Sequence, residues 1–405
     1  MKYFKNTELA KIYKTSEKSV RNWIQSSQEG KLGLQLYEQN GRPYVANTTK
    51  NNALIEELVR KGKKYKNTRG AKTISPKKEF YELYSHKQIL EILSSLTIHC
   101  ESPLEYTYVD GGAEDWDEYA NRLVEEHEPN ILTRTRELLN LSAAHIDQLL
   151  GSHRKINVVD VGPGNGLPVR PTLERLLKEG RLNRYIAIDI SQDMLNILEK
   201  NIKAWFGDKV KFEGYARDVS YERFNDLIDD GLVEDAPANL VLFLGGTLAN
   251  FRAPAQILHT INNSLGLNDI FIYSGYLDSP KTRRYFDYYT SKSKLPIQDG
   301  LIINLLNIDE SLYDVEQLFN EKLRARSISI RPKVDISIKL ELVNGVRYVE
   351  LYKDEPILIW RHRHYSALEI LSMFDKNDFN FLHALKSQEQ NYFLLISKIK
   401  TGSNE

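Results

Sequence analysis

The first residues able to do chemistry are Gly162, Gly164 and Gly166, set in Gly162-Pro163-Gly164-Asn165-Gly166 directly after the apolar run Ile156 to Val161. Val158, Val159 and Val161 suit a buried parallel strand, and glycines at its end let the backbone turn tightly against a ligand. A second strand, Tyr185 to Asp189, ends in an acid about 20 residues further on, where a nucleotide-type fold places the carboxylate that accepts ribose hydroxyls. A third strand, Lys209 to Tyr215, leads to Asp218-Val219, and a fourth, Leu240 to Leu244, leads to Gly245-Gly246-Thr247-Leu248-Ala249-Asn250. In a doubly wound sheet, ligands bind beyond the carboxyl ends of the strands, so Gly162, Asp189, Asp218 and Gly245 fall on one rim.

The glycine spacing narrows the ligand. A dinucleotide fingerprint starting at Gly162 requires glycine or alanine at position 167, which is Leu167, and no Gly-Lys-Ser/Thr phosphate loop is present. The third glycine stands at 166, and this Asp-Val-Gly-x-Gly-x-Gly pattern resembles motif I of the class I S-adenosylmethionine (SAM) methyltransferases. That resemblance implies that Gly162, Gly164, Gly166 and Gly245 approach the cofactor while Asp189, Asp218 and Val219 hold its ribose and adenine.

Two further stretches resemble the histidine Nα-methyltransferases of the ergothioneine pathway. Leu132-Thr133-Arg134-Thr135-Arg136-Glu137 is similar to their Leu-Thr-Arg-Thr-Glu run, and Phe243-Leu244-Gly245-Gly246-Thr247-Leu248-Ala249-Asn250 to their Phe-Leu-Gly-Ser-Thr-Ile-Gly-Asn. Weaker similarity runs through Tyr108 to Gly112 and Phe319 to Glu321, and the resemblance covers roughly residues 80 to 400. It implies a SAM-dependent N-methyltransferase releasing S-adenosylhomocysteine, with Thr133 at the cofactor and Asn250 and Tyr108 at the substrate amine. A further pocket tyrosine is expected from Tyr288 or Tyr289, and Tyr289 is assigned to the substrate. Transfer to a neutral amine requires in-line placement and an unprotonated nitrogen, without metal or covalent nucleophile.

Near the C-terminus the chain departs from that family. Where the family carries an imidazole-recognising Glu-x-Ser, this sequence has Trp360-Arg361-His362, which replaces an acceptor with an aromatic ring and a potential donor. Losing such a buried polar match costs discrimination, so Trp360 and His362 are expected to set an altered specificity for an amino acid or related small amine. Two other readings remain: a peptide or protein methyltransferase, and a DNA-binding regulator that retains a SAM-binding fold.

The elements that must position these residues form an α/β protein with several parts. We expect a small helix-turn-helix or winged-helix-like domain over 1–65, a basic linker over 66–79, a helical stretch over 80–150 and a Rossmann-like core over 151–275. A β-rich insertion or lid over 276–360 and a helix and strand over 361–405 complete it. Leu312 to Lys322 reads as helix, and Ala325 to Leu342 as strands.

Lys and Arg number 55, as do Asp and Glu, but residues 1–78 hold 18 basic and 6 acidic side chains. That segment is therefore about +12 and the remainder (37 basic, 49 acidic) about −12. In the head, Thr7 to Tyr13 and Glu17 to Ser26 read as helices, Leu34 to Val45 as a hairpin around Asn40-Gly41, and Asn51 to Lys61 as a helix, with Lys18, Arg21 and Arg42 as candidate nucleic-acid contacts. A protein adaptor is the other reading of this head. Cys100 stands alone, which excludes an internal disulfide and favours a reducing, cytoplasmic setting. The longest apolar stretch, Leu240 to Phe251, falls far short of the roughly 20 residues of a membrane helix.

Overall fold

The run Ile156–Val161 is buried at every position, which an isolated strand cannot achieve, and it becomes the centre of a seven-stranded sheet. In the computed structural model we number these strands in chain order: β1 Ile156–Val161, β2 Leu182–Asp189, β3 Phe212–Ala216, β4 Ala238–Phe243, β5 Ile270–Tyr276, β6 Phe379–Lys386 and β7 Tyr392–Ile399. Their spatial order is β6-β7-β5-β4-β1-β2-β3. β1 to β5 are mutually parallel, whereas β7 runs antiparallel between β5 and β6. The order reverses between β1 and β4, so the crevice beyond their carboxyl ends is where a ligand has room. The structure describes residues 3–13, 15–28, 32–39, 42–64, 71–109, 111–126, 129–151, 154–228, 236–285, 295 and 299–400.

Apolar faces on both sides of the sheet explain its continuous burial. One face holds Val158, Tyr185, Leu240, Ile272 and Leu394 with Leu138, Leu173, Leu195 and Leu198 from the covering helices. The other holds Val159, Ile186, Val241, Phe271 and Leu395 with Leu258, Ile370 and Phe374. At the end remote from the glycine turn, an amide ladder crosses three strands and ends on the residue before β5. Asn183 Nδ2 donates to Asn157 Oδ1 (2.7 Å), Asn157 Nδ2 to Asn239 Oδ1 (2.9 Å) and Asn239 Nδ2 to Asp269 Oδ1 (2.8 Å). A one-residue slip would leave the buried Asn157, Asn239 and Asp269 unpaired, so the ladder fixes register as well as saturating their polar atoms.

The segment before β1 is helical, with helices Gly112–Glu125 and Ile131–Leu150. After β5 the chain makes strands Tyr313–Asn320, Ala325–Pro332, Ile336–Leu342, Gly345–Leu351 and Ile357–Arg363. The helix expected over Leu312 to Lys322 is thus a strand. Leu312, Val315 and Phe319 imitate a helical stripe, but Tyr313 to Asn320 pair residue by residue with Pro332 to Ala325, and exposure alternates along the run. β6 is a further strand beyond those expected.

The chain divides into two units: Met1–Thr73 with Val334–Ile338 and Glu350–Lys353, and the remainder. The first unit has its own core of Leu9, Ala10, Val20, Ile24, Leu34, Val45 and Ile55. Among the described residues no helix is long and apolar enough to cross a membrane.

Candidate active site

The carboxyl ends of β1, β2 and β4 open into a cavity of about 1060 Å³, closed on one side by the Gly112–Glu125 helix and on another by the Ile357–Arg363 strand. Gly162, Gly164, Asp189, Asp218, Val219, Gly245, Asn250, Tyr108, Trp360 and His362 all line it, so widely separated stretches of the chain meet there. A volume of this size takes a nucleoside-type cofactor and a second small molecule together.

The three glycines serve different ends. All adopt positive φ (65°, 55° and 81° for Gly162, Gly164 and Gly166), where a side chain is strained. Gly162 and Gly164 line the cavity, and a Cβ at Gly164 would lie 2.9 Å from Trp116 Nε1. Gly166 is not among the lining residues: a Cβ there would meet Leu198 Cδ1 at 2.5 Å and Trp205 Cζ3 at 3.4 Å, so this glycine lets the turn pack on the helix Gln192–Phe206. Gly166→Ala is expected to cost about 2–5 kcal/mol from left-handed strain plus overpacking. A thermal melt should show it as a large fall in Tm, and an unchanged Tm would remove the packing role.

Thr133 also needs reassignment. Its hydroxyl closes the N-terminal capping box of the Ile131–Leu150 helix, accepting from Asn130 N–H (2.9 Å), and the residue is exposed. Helical periodicity turns Leu132 and Thr135 inward instead, and those two line the cavity. Thr135 Oγ1 shares a 2.6 Å hydrogen bond with Tyr392 OH, which shares a 3.1 Å bond with Ser274 Oγ, and Ser274 Oγ accepts from Gly245 N–H (3.3 Å). The turn after β4 is thereby braced from β5, β7 and a helix. Tyr289 lies outside the described residues.

Burial gives the acids their character. Asp189 Oδ1 accepts from Ser191 N–H (3.0 Å), yet desolvation pushes its carboxyl up to about 6. Asp218 Oδ1 accepts from Ser220 N–H (2.9 Å) and is also raised, chiefly by burial. Tyr108 presents its carbonyl to Ser191 Oγ (2.5 Å) and packs edge-on to Trp116.

Two acids escaped the sequence reading. Asp160, inside β1, lines the cavity and accepts from Tyr185 OH through Oδ2 (3.0 Å), while its buried Oδ1 has no hydrogen-bond partner among the described residues. Desolvation raises it to about 7. Glu105, from the turn Leu104–Thr107, also lines the cavity and is pushed by burial to about 7. No motif marks Glu105. Asp160 stands within the motif itself but reads as one more strand residue.

On the opposite wall, Trp360 and His362 share one face of their strand, with rings stacked 6.1 Å apart at 13°. His362 Nδ1 lies 3.0 Å from Asn250 Oδ1, and burial beside His364 drives its pKa well below the ordinary imidazole value. Because an amide oxygen only accepts, the neutral imidazole donates from Nδ1, and the bond orients Asn250 within the 3-10 turn Thr247–Asn250.

These residues fit SAM. Recessed acids at the ends of β2 and β3 suit the ribose and adenine, positive-φ glycines allow close approach, and the orphaned Asp160 oxygen suits a cationic group. A pH consequence follows. Asp160 is raised in the folded state, so its contribution to stability is present below about pH 4 and is lost as pH rises towards about 7. The difference in Tm between wild type and Asp160→Asn should therefore change across that window, and SAM should raise the wild-type Tm more at about pH 7.5 than at about pH 5.5. The variant comparison cancels paired carboxylates such as Asp278, held low by Arg283, which act in the opposite sense. Equal SAM-induced shifts at both pH values would refute the assignment.

Residues 87–398 match the model of a family described as histidine-specific, SAM-dependent methyltransferase. No curated protein sequence matches the chain. Among solved structures, it is similar to a SAM-dependent methyltransferase from Clostridium acetobutylicum ATCC 824 (TM-score 0.39, 12% identity, 71% of this chain and 99% of that chain). It is also similar to magnesium protoporphyrin IX methyltransferase from Synechocystis PCC 6803 (TM-score 0.39, 8% identity, 74% and 100%). A third is Burkholderia thailandensis 1,6-didemethyltoxoflavin-N1-methyltransferase (TM-score 0.38, 12% identity, 78% and 92%).

Proposed function

The chain belongs to the histidine-specific, SAM-dependent methyltransferase family, and from that premise we propose that it methylates the amino group of an amino acid or related small amine other than free histidine. It is a SAM-dependent methyltransferase with a class I core. The observation that carries the finer reading is the His362–Asn250 hydrogen bond inside the cavity.

Asn250 is the group suited to hold the acceptor molecule, and His362 sets which way its amide faces. With Oδ1 occupied by the imidazole, Nδ2 is the atom left to meet the substrate as a donor, so Asn250 holds an oxygen of the acceptor molecule and leaves the lone pair of the attacking amine free. Bound SAM supplies an electrophilic methyl group on sulfur. The protein contributes placement: Asn250 and Tyr108 fix the acceptor, the glycine turn and the acids at the ends of β2 and β3 fix the cofactor, and Trp360 and Trp116 exclude water. Glu105, held near neutrality by desolvation, has a pKa suited to receiving the proton that the amine sheds.

Trp360 and His362 argue against free histidine as the acceptor. A neutral, buried His362 stacked on Trp360 presents an aromatic wall where an imidazole N–H would need a carboxylate. Purified protein incubated with labelled SAM and a panel of amino acids and amines tests the reading. Label should enter a small amine, with histidine a poor acceptor. Tight histidine binding in the presence of S-adenosylhomocysteine, measured by titration calorimetry, would restore the parent specificity and overturn the proposal.

A further inference from the structure

The cavity leaves the first unit unexplained. Its helix Glu17–Gln28 buries Val20 and Ile24 in that unit's core and exposes Lys18, Arg21, Asn22 and Gln25. These four fall at i, i+3, i+4 and i+7, so they form one stripe on the outward face. Ser16 starts the helix, its Oγ accepting from Ser19 N–H (3.1 Å), and the short helix Asn6–Ile12 precedes it. A hairpin of strands Leu36–Gln39 and Arg42–Ala46 follows, with Arg42 exposed at the start of its second strand.

That hairpin is held firmly. Asn51, fully buried, donates through Nδ2 to the carbonyls of Gln35 (2.7 Å) and Ala46 (2.8 Å) and accepts from Gln35 N–H (2.8 Å), which ties the hairpin to the helix Thr49–Lys64. Tyr3 stacks on Tyr37 at 5.1 Å and packs on Tyr44 at 5.0 Å.

We propose that this unit binds double-stranded DNA, placing the Lys18–Arg21–Asn22–Gln25 stripe in the major groove and Arg42 and Lys50 against the phosphates. Arginine, asparagine and glutamine are the side chains that make paired hydrogen bonds to guanine and adenine edges, and here they share one exposed helical face. Residues 1–73, the main stretch of this unit, hold 16 basic and 6 acidic side chains, a balance that complements a polyanion. A protein partner is disfavoured because the stripe has no aromatic or aliphatic anchor. Single-stranded RNA is disfavoured because the tyrosine rings stack on one another and do not form a platform for bases. The inference goes beyond the methyl-transfer reading and does not depend on it.

The test uses the full chain and labelled duplex DNA of about 30 base pairs, first of random sequence and then of sequences enriched by repeated selection. Affinity should fall linearly in log–log form between about 50 and 200 mM salt, and Arg42→Ala with Lys50→Ala should reduce the slope by about 1 for each phosphate no longer neutralised. Asn22→Ala should lower the preference for enriched over random duplex by roughly 5- to 150-fold with little change in slope. All three positions are exposed, so melting curves should match wild type and methyl transfer should persist. A flat salt response, variants that bind as wild type does, or tighter binding to single-stranded RNA of the same sequence would each overturn the proposal. Loss of methyl transfer in the panel experiment, with DNA binding intact, would fail the other reading alone.

Discussion

Asn250→Ala should lower kcat/KM for the amine by about 10²- to 10³-fold while leaving SAM affinity within a factor of two or so, since a misplaced acceptor costs on that scale when positioning is the main source of rate. The side chain sits at the end of the turn that follows β4, and its oxygen is held 3.0 Å from His362 Nδ1. Truncation removes the donor that meets the acceptor and leaves a buried imidazole N–H without the oxygen it donates to. His362→Ala should give a smaller loss of the same kind, because Asn250 stays but its amide is free to turn. Steady-state kinetics with the amine found in the panel, alongside calorimetry of S-adenosylhomocysteine, separates the two. If Asn250→Ala keeps wild-type kcat/KM, the acceptor lies elsewhere in the cavity.

The second large effect concerns the cofactor. Asp189→Ala should weaken SAM by roughly 1 to 3 kcal/mol through lost charge-assisted bonds to the ribose, or about 5- to 150-fold in Kd. Its burial sharpens the expectation, because the carboxyl is raised to about 6 by desolvation and a ligand that donates hydrogen bonds compensates that cost. Binding by the wild type should accordingly weaken as pH falls through about 6, and Asp189→Ala should keep only the part of that dependence that Asp160 supplies. Identical Kd values for the two proteins would move the ribose site off β2.

The residues that could be read in advance were those whose type and spacing are demanded by the backbone. Gly162 and Gly164 take positive φ where the turn lines the cavity, and Asp189 ends a strand whose register is set by its apolar neighbours. Thr133 shows the limit: it belongs to the right helix, but a two-residue difference turns its hydroxyl into a cap and leaves Thr135 facing inward. Gly166 has the right residue type and a different neighbour, since only the folded helix reveals Leu198 against it. Tyr313 to Asn320 carry helical spacing but are claimed by strand pairing, a tertiary choice that local pattern does not encode. Glu105 and Asp160 owe their raised pKa values to burial created by distant segments. The His362–Asn250 bond likewise joins residues 112 positions apart.

The brace behind the β4 turn has a consequence for how the molecule is made. Tyr392 links Thr135 to Ser274, and β7, which carries it, is the last strand in chain order yet is inserted between β5 and β6. During synthesis, β1 to β5 can associate as they emerge, but the turn bearing Gly245 and Asn250 remains unbraced until Tyr392 arrives. Such late, long-range pairing is slow. A chain terminated before Tyr392 would contain every glycine and acid of the cavity and still lack the brace behind the β4 turn, so retention on immobilised S-adenosylhomocysteine should select chains that carry β7 from those that end before it.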